Sequence, residues 1–446
     1  MKKNHQTASA RTATLSLCLL TTLLACQRQT VPNAAQLPAE IPNILIGQGS
    51  FAGPCEPSIA ISPADPDRVV AGAILDRVYY SEDGGKTWQG DRLRSPFGVY
   101  GDPVILADYA GRFFYAHLSN PGNSSFSLGD SWLDRIVIQR SDDGGKTWSE
   151  GAFAGLRPPH DQDKHWLAAD PRNNHLYVTW TEFDEYDSRD PDDHSRILFS
   201  SSTDGGLSWS EAVAISQFEG DCLDGDQATE GAVPAVGPNG EIYVAWSYDE
   251  KIYFDRSLDG GKTWLQEDIV IAEQPGGWAF DIPGIFRCNG MPITVADLGD
   301  GPNKGTIYVN WSDQRNGADD TDIWLAYSKD GGLSWSEPIR VNNDAPGKQQ
   351  FFTWMDIDQT TGILYFVFYD RRAYSDDRTD VYLAWSADGG RSFANRRISE
   401  KPFTPDGGVF FGDYNDISAH GGHVRPIWTR MEEGRLSVWT ALVEMR

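Results

Sequence analysis

Positive charge and cysteine are both scarce in this 446-residue chain, and each scarcity excludes something. Only 38 lysines and arginines stand against 64 aspartates and glutamates, a formal net charge of −26. A surface of that sign suits neither nucleic acid nor an anionic membrane face, although a locally basic pocket could still receive an anionic ligand. Of five cysteines, two fall in the first 26 residues, leaving Cys55, Cys222 and Cys288. An odd trio does not make a disulfide scaffold, and no His or Cys spacing suggests a metal site. No zinc-type histidine pair, glycine-rich phosphate loop or Ser-His-Asp signature occurs either.

Long apolar runs are equally rare. The most prominent, residues 13–24, follows Lys2, Lys3 and Arg11 and ends at Ala25-Cys26. It is short and rich in Ser and Thr for a membrane span, and it reads as an export leader. Leu23-Leu-Ala-Cys26 resembles a bacterial lipobox, which implies cleavage before Cys26 and lipidation of that residue; an ordinary cleaved signal and a short membrane helix are the alternatives. The expected organisation is a leader over 1–25, a polar tether over 26–41 and one domain over 42–446. It implies a lipid-anchored protein of the cell envelope, outer membrane or cell surface. Export permits disulfides, and a Cys222–Cys288 bridge is expected because both lie shortly before equivalent units of adjacent repeats.

What the chain has in abundance is repetition. The pattern Ser-x-Asp-x-Gly-x-[Thr/Ser]-[Trp/Phe] occurs at 81–88, 141–148, 202–209, 257–264, 328–335 and 386–393. Even spacing of this kind marks stacked or radially arranged units. The Asp can accept backbone N–H bonds in a tight turn, Gly permits positive φ, and the closing aromatic can wedge into an apolar seam. Strand-like runs such as Ile323-Trp-Leu-Ala-Tyr327 precede the copies, so the pattern reads as a β-turn clamp.

The repeat resembles the Asp-box, or bacterial neuraminidase repeat, of sialidases and related β-propellers, and the resemblance covers nearly all of the chain after residue 42. It implies an all-β propeller with the boxes between the third and fourth strands of each blade, on the face opposite the active site. The motif thus speaks for fold more than for chemistry.

A second repeat counts the blades. Units such as Leu176-Tyr-Val-Thr-Trp180, Ile242-Tyr-Val-Ala-Trp246 and Ile307-Tyr-Val-Asn-Trp311 follow short strands and tight turns. Seven copies can be found, the last without a box. Seven four-stranded blades are predicted, with six, the sialidase number, as the alternative. The missing outer strand of the seventh would come from Ile41–Ile46, closing the ring and covering an open edge.

Residues leading into the inner strands, and into the loops after second strands, should surround the central pocket. These include Glu56, Asp102, Asp163 with His165, Glu230, Asn289, Asp413-Tyr414, Arg287, Asp313 with Arg315, Asp370-Arg371 and Arg430. Sialidases hold a substrate carboxylate with three arginines and use a Tyr nucleophile activated by Glu, with an Asp acid/base. The resemblance therefore implies Arg287, Arg315 and Arg371 as carboxylate ligands, Tyr414 with Glu230 as nucleophile pair, and Asp102 as acid, with Asp163 and Asp413 also binding substrate. One departure stands out: the family's first arginine lies in a Phe/Tyr-Arg-Ile-Pro segment, and here no arginine occurs between Arg28 and Arg68, where the chain reads Pro54-Cys-Glu-Pro-Ser-Ile-Ala60. Glu56 at that position would repel sialic acid. Hydrolysis by paired carboxylates among Glu56, Asp102 and Glu230 is the second enzymatic reading.

The acidic loops 184–193, 313–322 and 370–380 could take calcium through oxygen ligands or simply be solvated; no other cofactor is expected. The functional expectation is a monomeric, carbohydrate-active propeller with a glycan ligand, glycoside hydrolase-like, against a non-catalytic propeller that binds a glycan or a protein.

Overall fold

The alternating apolar runs between turn signals become the strands of seven antiparallel sheets. The computed structural model describes residue 1 and residues 37–119 and 133–445. The expected leader, Cys26 and most of the tether lie outside them. Among the described residues there is no helix.

Six sheets comprise four strands in chain order, at 58–92, 104–154, 161–214, 230–273, 293–340 and 350–397, here blades 1 to 6. Blade 7 takes Asp416–His420, His423–Glu432 and Arg435–Ala441 from the end of the chain. Its outer strand is Asn43–Gln48, antiparallel to Arg435–Ala441 with Asn43 opposite Ala441 and Gln48 opposite Ser437. The protein is a seven-bladed β-propeller. Residues just before the outer strand are held as well: Arg396 donates to the carbonyls of Pro38 and Ala39, each at 2.6 Å.

Each inner strand packs on the next, and Asp416–His420 packs on Ser58–Ile61 to close the ring. Backbone groups facing across these seams have no ladder partner and need side chains. Asp416 Oδ2 accepts from the Ser58 hydroxyl at 2.7 Å and the Ile59 N–H at 2.8 Å. Asp356 Oδ2 likewise accepts from Ala419 N–H at 2.8 Å. Two carboxylates therefore staple blades 6, 7 and 1.

The repeated box is a self-contained turn. In the fourth copy, Asp259 accepts from Ser257, the Lys262 and Thr263 N–H groups and the Thr263 hydroxyl. The Thr263 hydroxyl is foremost in holding Asp259 down to about 2. The closing rings of the fourth and fifth boxes pack on the preceding blade, Trp264 against Phe199 and Trp335 against Phe254, edge-on at 5.0 and 5.1 Å. The last Trp of the second repeat, at 180, 246, 311 and 428, is fully buried.

Candidate functional site

The box turns lie at the far end of each blade from the start of its inner strand, so the opposite face is where the inner-strand lead-ins gather. They share a backbone device. Glu56, Asp102, Lys164, Gly231 and Phe352 all have φ between +49° and +74°. Glu56 and Asp102 stand two residues before the first paired residues of their blades, Ser58 and Val104, and Lys164, Gly231 and Phe352 stand two residues before the ladder resumes after a bulge at Trp166, Val233 and Trp354. Left-handed backbone at non-glycine residues is uncommon and clusters where side chains must be aimed. Here five of the seven blades share it, and three of them use it to present Glu56, Asp102 and Lys164.

Lys164 is the centre of the site. Its buried ammonium lies 3.0 Å from Asp413, 3.6 Å from Asp102 and 3.9 Å from Asp163. Desolvation disfavours that charge, but Asp163, Asp102 and Asp413 outweigh it and hold the lysine protonated. Arg287 grips the same Asp413 from the other side, Nε donating to Oδ1 at 2.7 Å and Nη2 to Oδ2. Its Nη1 reaches Asp224 at 2.8 Å. Asp224 in turn accepts from the Tyr186 hydroxyl and the Trp278 indole, each at 3.0 Å.

Asp413, Arg287, Asp224, Tyr186 and Trp278 border a cavity of about 320 Å³, whose wall also includes Asp187, Cys288 and Asn289. The volume falls at the small end of the range for ligand sites. Trp278 reaches it on the segment before the hairpin of Ala279–Phe280 with Cys288–Asn289, between blades 4 and 5. Asp226 fixes that hairpin by accepting from Ala279 N–H at 2.8 Å.

Environment drives the carboxyls apart. Burial, reinforced by Asp102 and Asp224 against the pull of Lys164, pushes Asp163 up to about 7. Burial also raises Glu56, helped by Asp102 and Asp413, and raises Glu230, helped by Asp224 and Asp163. Asp413 is equally buried, but Arg287 and Lys164 overcome the desolvation and hold it well below the usual carboxylate range.

Below the cluster the channel narrows to aromatic rings. Trp166 and Trp354 lie 4.3 Å apart between centroids, and Tyr414 meets Trp166 edge-on at 5.1 Å. A second cavity of about 260 Å³ continues beyond them along the inner strands.

Several predicted site residues take other roles. Tyr414 donates to the Pro103 carbonyl at 3.3 Å. Burial raises its phenol, and the carboxyls that add to the effect are Glu56, Asp102 and Asp413 rather than Glu230; Glu230 meets Thr181 at 3.4 Å. Of the three arginines, only Arg287 lines the mouth cavity. Arg315 is tied to Asp313 at 2.5 Å and stacked over Trp324. Arg371 is buried over Phe351 and donates to Thr379 at 3.1 Å. A three-arginine grip is therefore not assembled, because two of the guanidiniums brace their own loops. The Cys222–Cys288 bridge is corrected too: both are free, buried thiols. Cys222 packs with Phe183 and Ala228, whereas Cys288 belongs to the central core, so different apolar clusters hold them. Among the described residues no group of three or more His, Cys, Asp or Glu side chains is placed to hold a metal ion.

The BNR/Asp-box repeat profile matches residues 79–89 and 139–150. No curated protein matches the chain. Among solved structures, an ulvan lyase representing a new polysaccharide lyase family aligns over 88% of this chain and 95% of its own, at 14% identity and a TM-score of 0.54. The NanB sialidase of Streptococcus pneumoniae aligns over 85% and 82% at 12% identity, TM-score 0.49. An α-L-arabinanase of Penicillium chrysogenum, complexed with arabinobiose, aligns over 82% and 100% at 15% identity, TM-score 0.48. The fold defines the chain as a β-propeller carrying BNR/Asp-box repeats. Its ring has seven blades.

Proposed function

We propose that the protein is a carbohydrate-active propeller that binds a glycan in the mouth cavity and cleaves a glycosidic bond there. The observation that carries this reading is a pair of carboxyls sharing the Lys164 ammonium, Asp413 on the cavity wall at 3.0 Å and Asp163 at 3.9 Å, with Asp163 pushed up to about 7 by burial and Asp413 held anionic. A protonated acid and an ionised carboxylate in one site are what general acid catalysis of glycoside cleavage requires. Tyr186 and Trp278, both fixed by Asp224, supply aromatic faces for a sugar ring. In this reading Asp163 donates the proton to the leaving oxygen as its bond to the anomeric carbon breaks, Asp413 and Asp102 stabilise the positive charge there, and a water adds to that carbon and returns its proton to Asp163. The related folds that act on polysaccharides are consistent with a glycan ligand.

Turnover of a panel of aryl glycosides by the purified chain tests the proposal. Asp163→Asn is expected to reduce the rate by about 10²–10⁴-fold, the usual worth of a positioned acid. No turnover on the panel, with glycan binding retained, would favour the second reading, a non-catalytic glycan-binding propeller. One observation supports that alternative: both oxygens of Asp413 are already engaged by Arg287 and Lys164.

A further inference from the structure

The charge balance around the mouth cavity bears on which glycan it accepts; this inference rests on the glycan reading above. Two cations, Arg287 and Lys164, reach the site, and both are engaged by the protein's own carboxylates: Arg287 by Asp413 and Asp224, Lys164 by Asp413 and Asp102. Arg315 and Arg371, which could have reversed the sign, are held at other loops. Asp187, on the cavity wall, is exposed, and no cation pairs with it among the described residues.

Deeper in the cluster, Glu56 Oε1, Asp102 Oδ2 and Glu230 Oε1 are buried without a hydrogen-bond partner. Such oxygens call for donors. Glu56, Asp163 and Glu230 hold their protons more tightly than ordinary carboxyls, through burial first and neighbouring carboxylates second, and the second effect reports the same negative potential. An incoming carboxylate or sulfate would add to that potential, because the one guanidinium on the cavity wall, Arg287, is already engaged by Asp413 and Asp224. A ligand ammonium would lower it. The cavity of about 320 Å³, with Tyr186 and Trp278 on its wall, has room for one or two sugar residues.

We propose that the mouth cavity selects amine-bearing, positively charged glycans of the glucosamine type over neutral and anionic ones.

Calorimetric titration of the full chain with tetramers of glucosamine, N-acetylglucosamine and galacturonic acid compares positive, neutral and negative ligands of equal length. The glucosamine tetramer is expected to bind at least about fivefold tighter than the neutral one, the effect of one close charge pair in water. Added salt should weaken only that advantage, and the galacturonate tetramer should not bind. Asp187→Asn should lose about fivefold more for the glucosamine tetramer than for the neutral one. Asp187 has φ 62°, a conformation that asparagine tolerates, so this variant keeps the fold. Binding of galacturonate or of the neutral tetramer as tightly as glucosamine would overturn the charge selection and leave the glycan reading standing. Binding of none of the three would overturn both.

Discussion

Arg287 and Asp413 form a two-pronged ion pair between the hairpin that follows blade 4 and the start of blade 7, residues 126 positions apart in the chain. The pair fixes one wall of the cavity and keeps Asp413 charged despite its burial. Replacing Arg287 by Met removes the larger of two compensating cations. Breaking a buried pair costs about 3–5 kcal/mol, and with Lys164 still present about 2 kcal/mol is expected. Chemical denaturation measures it; an unchanged midpoint would show that Lys164 alone suffices.

The seam carboxylates make stability depend on pH. Burial, against the N–H and hydroxyl groups that bond them, pushes Asp416 up to about 7 and Asp356 up to about 8. In the unfolded chain both lose their protons near 4. Between those values the folded state binds more protons, so the stability these groups contribute is complete below about pH 4 and is lost as pH rises toward 8. Urea midpoints compared between the protein and Asp356→Asn should diverge with rising pH in favour of the variant. Parallel curves would contradict the assignment.

Two glycines of the boxes separate backbone strain from crowding. Gly332 has φ +90°, and a Cβ there would lie 2.2 Å from the Phe254 ring of the preceding blade. Gly260 has φ +78° but open space around it. Gly260→Ala should cost about 1–2 kcal/mol, the left-handed penalty alone. Gly332→Ala should cost about 1–3 kcal/mol more through overpacking. Thermal unfolding of both proteins checks the order.

Trp166 separates the charged cluster from the lower cavity. Trp166→Ala is expected to destabilise the protein by about 3–5 kcal/mol. A loss under 1 kcal/mol would mean that Trp354 and Tyr414 close the channel without it.

Much of the site could be located in the sequence, though its pairings could not. Glu56, Asp102, Asn289 and Asp413 precede inner strands and Asp163 and Glu230 lie at the start of them, and the repeat marks those positions. Lys164 carries no mark of its own in the sequence, although it occupies the place of Glu56 and Asp102 when Trp166, where the blade 3 ladder resumes after its bulge, is aligned with Ser58 and Val104. Aligning those starts residue by residue would have found it. Asp224, Tyr186 and Trp278 sit in irregular connections that carry no repeat, so no sequence signal pointed to them.

The boxes, the Trp-ended second strands and the turn chemistry determined by themselves that this chain is a propeller with its candidate site away from the box face. Those are local patterns, written within one blade and repeated. Which charges meet, and which arginines stay with their own loops, depends on contacts between residues 126 or 249 positions apart, as Asp413 with Arg287 and Lys164 shows. Only closure of the ring brings such groups within reach of one another, and their pairing with aspartates of the same protein, not their presence in the sequence, sets the charge of the cavity.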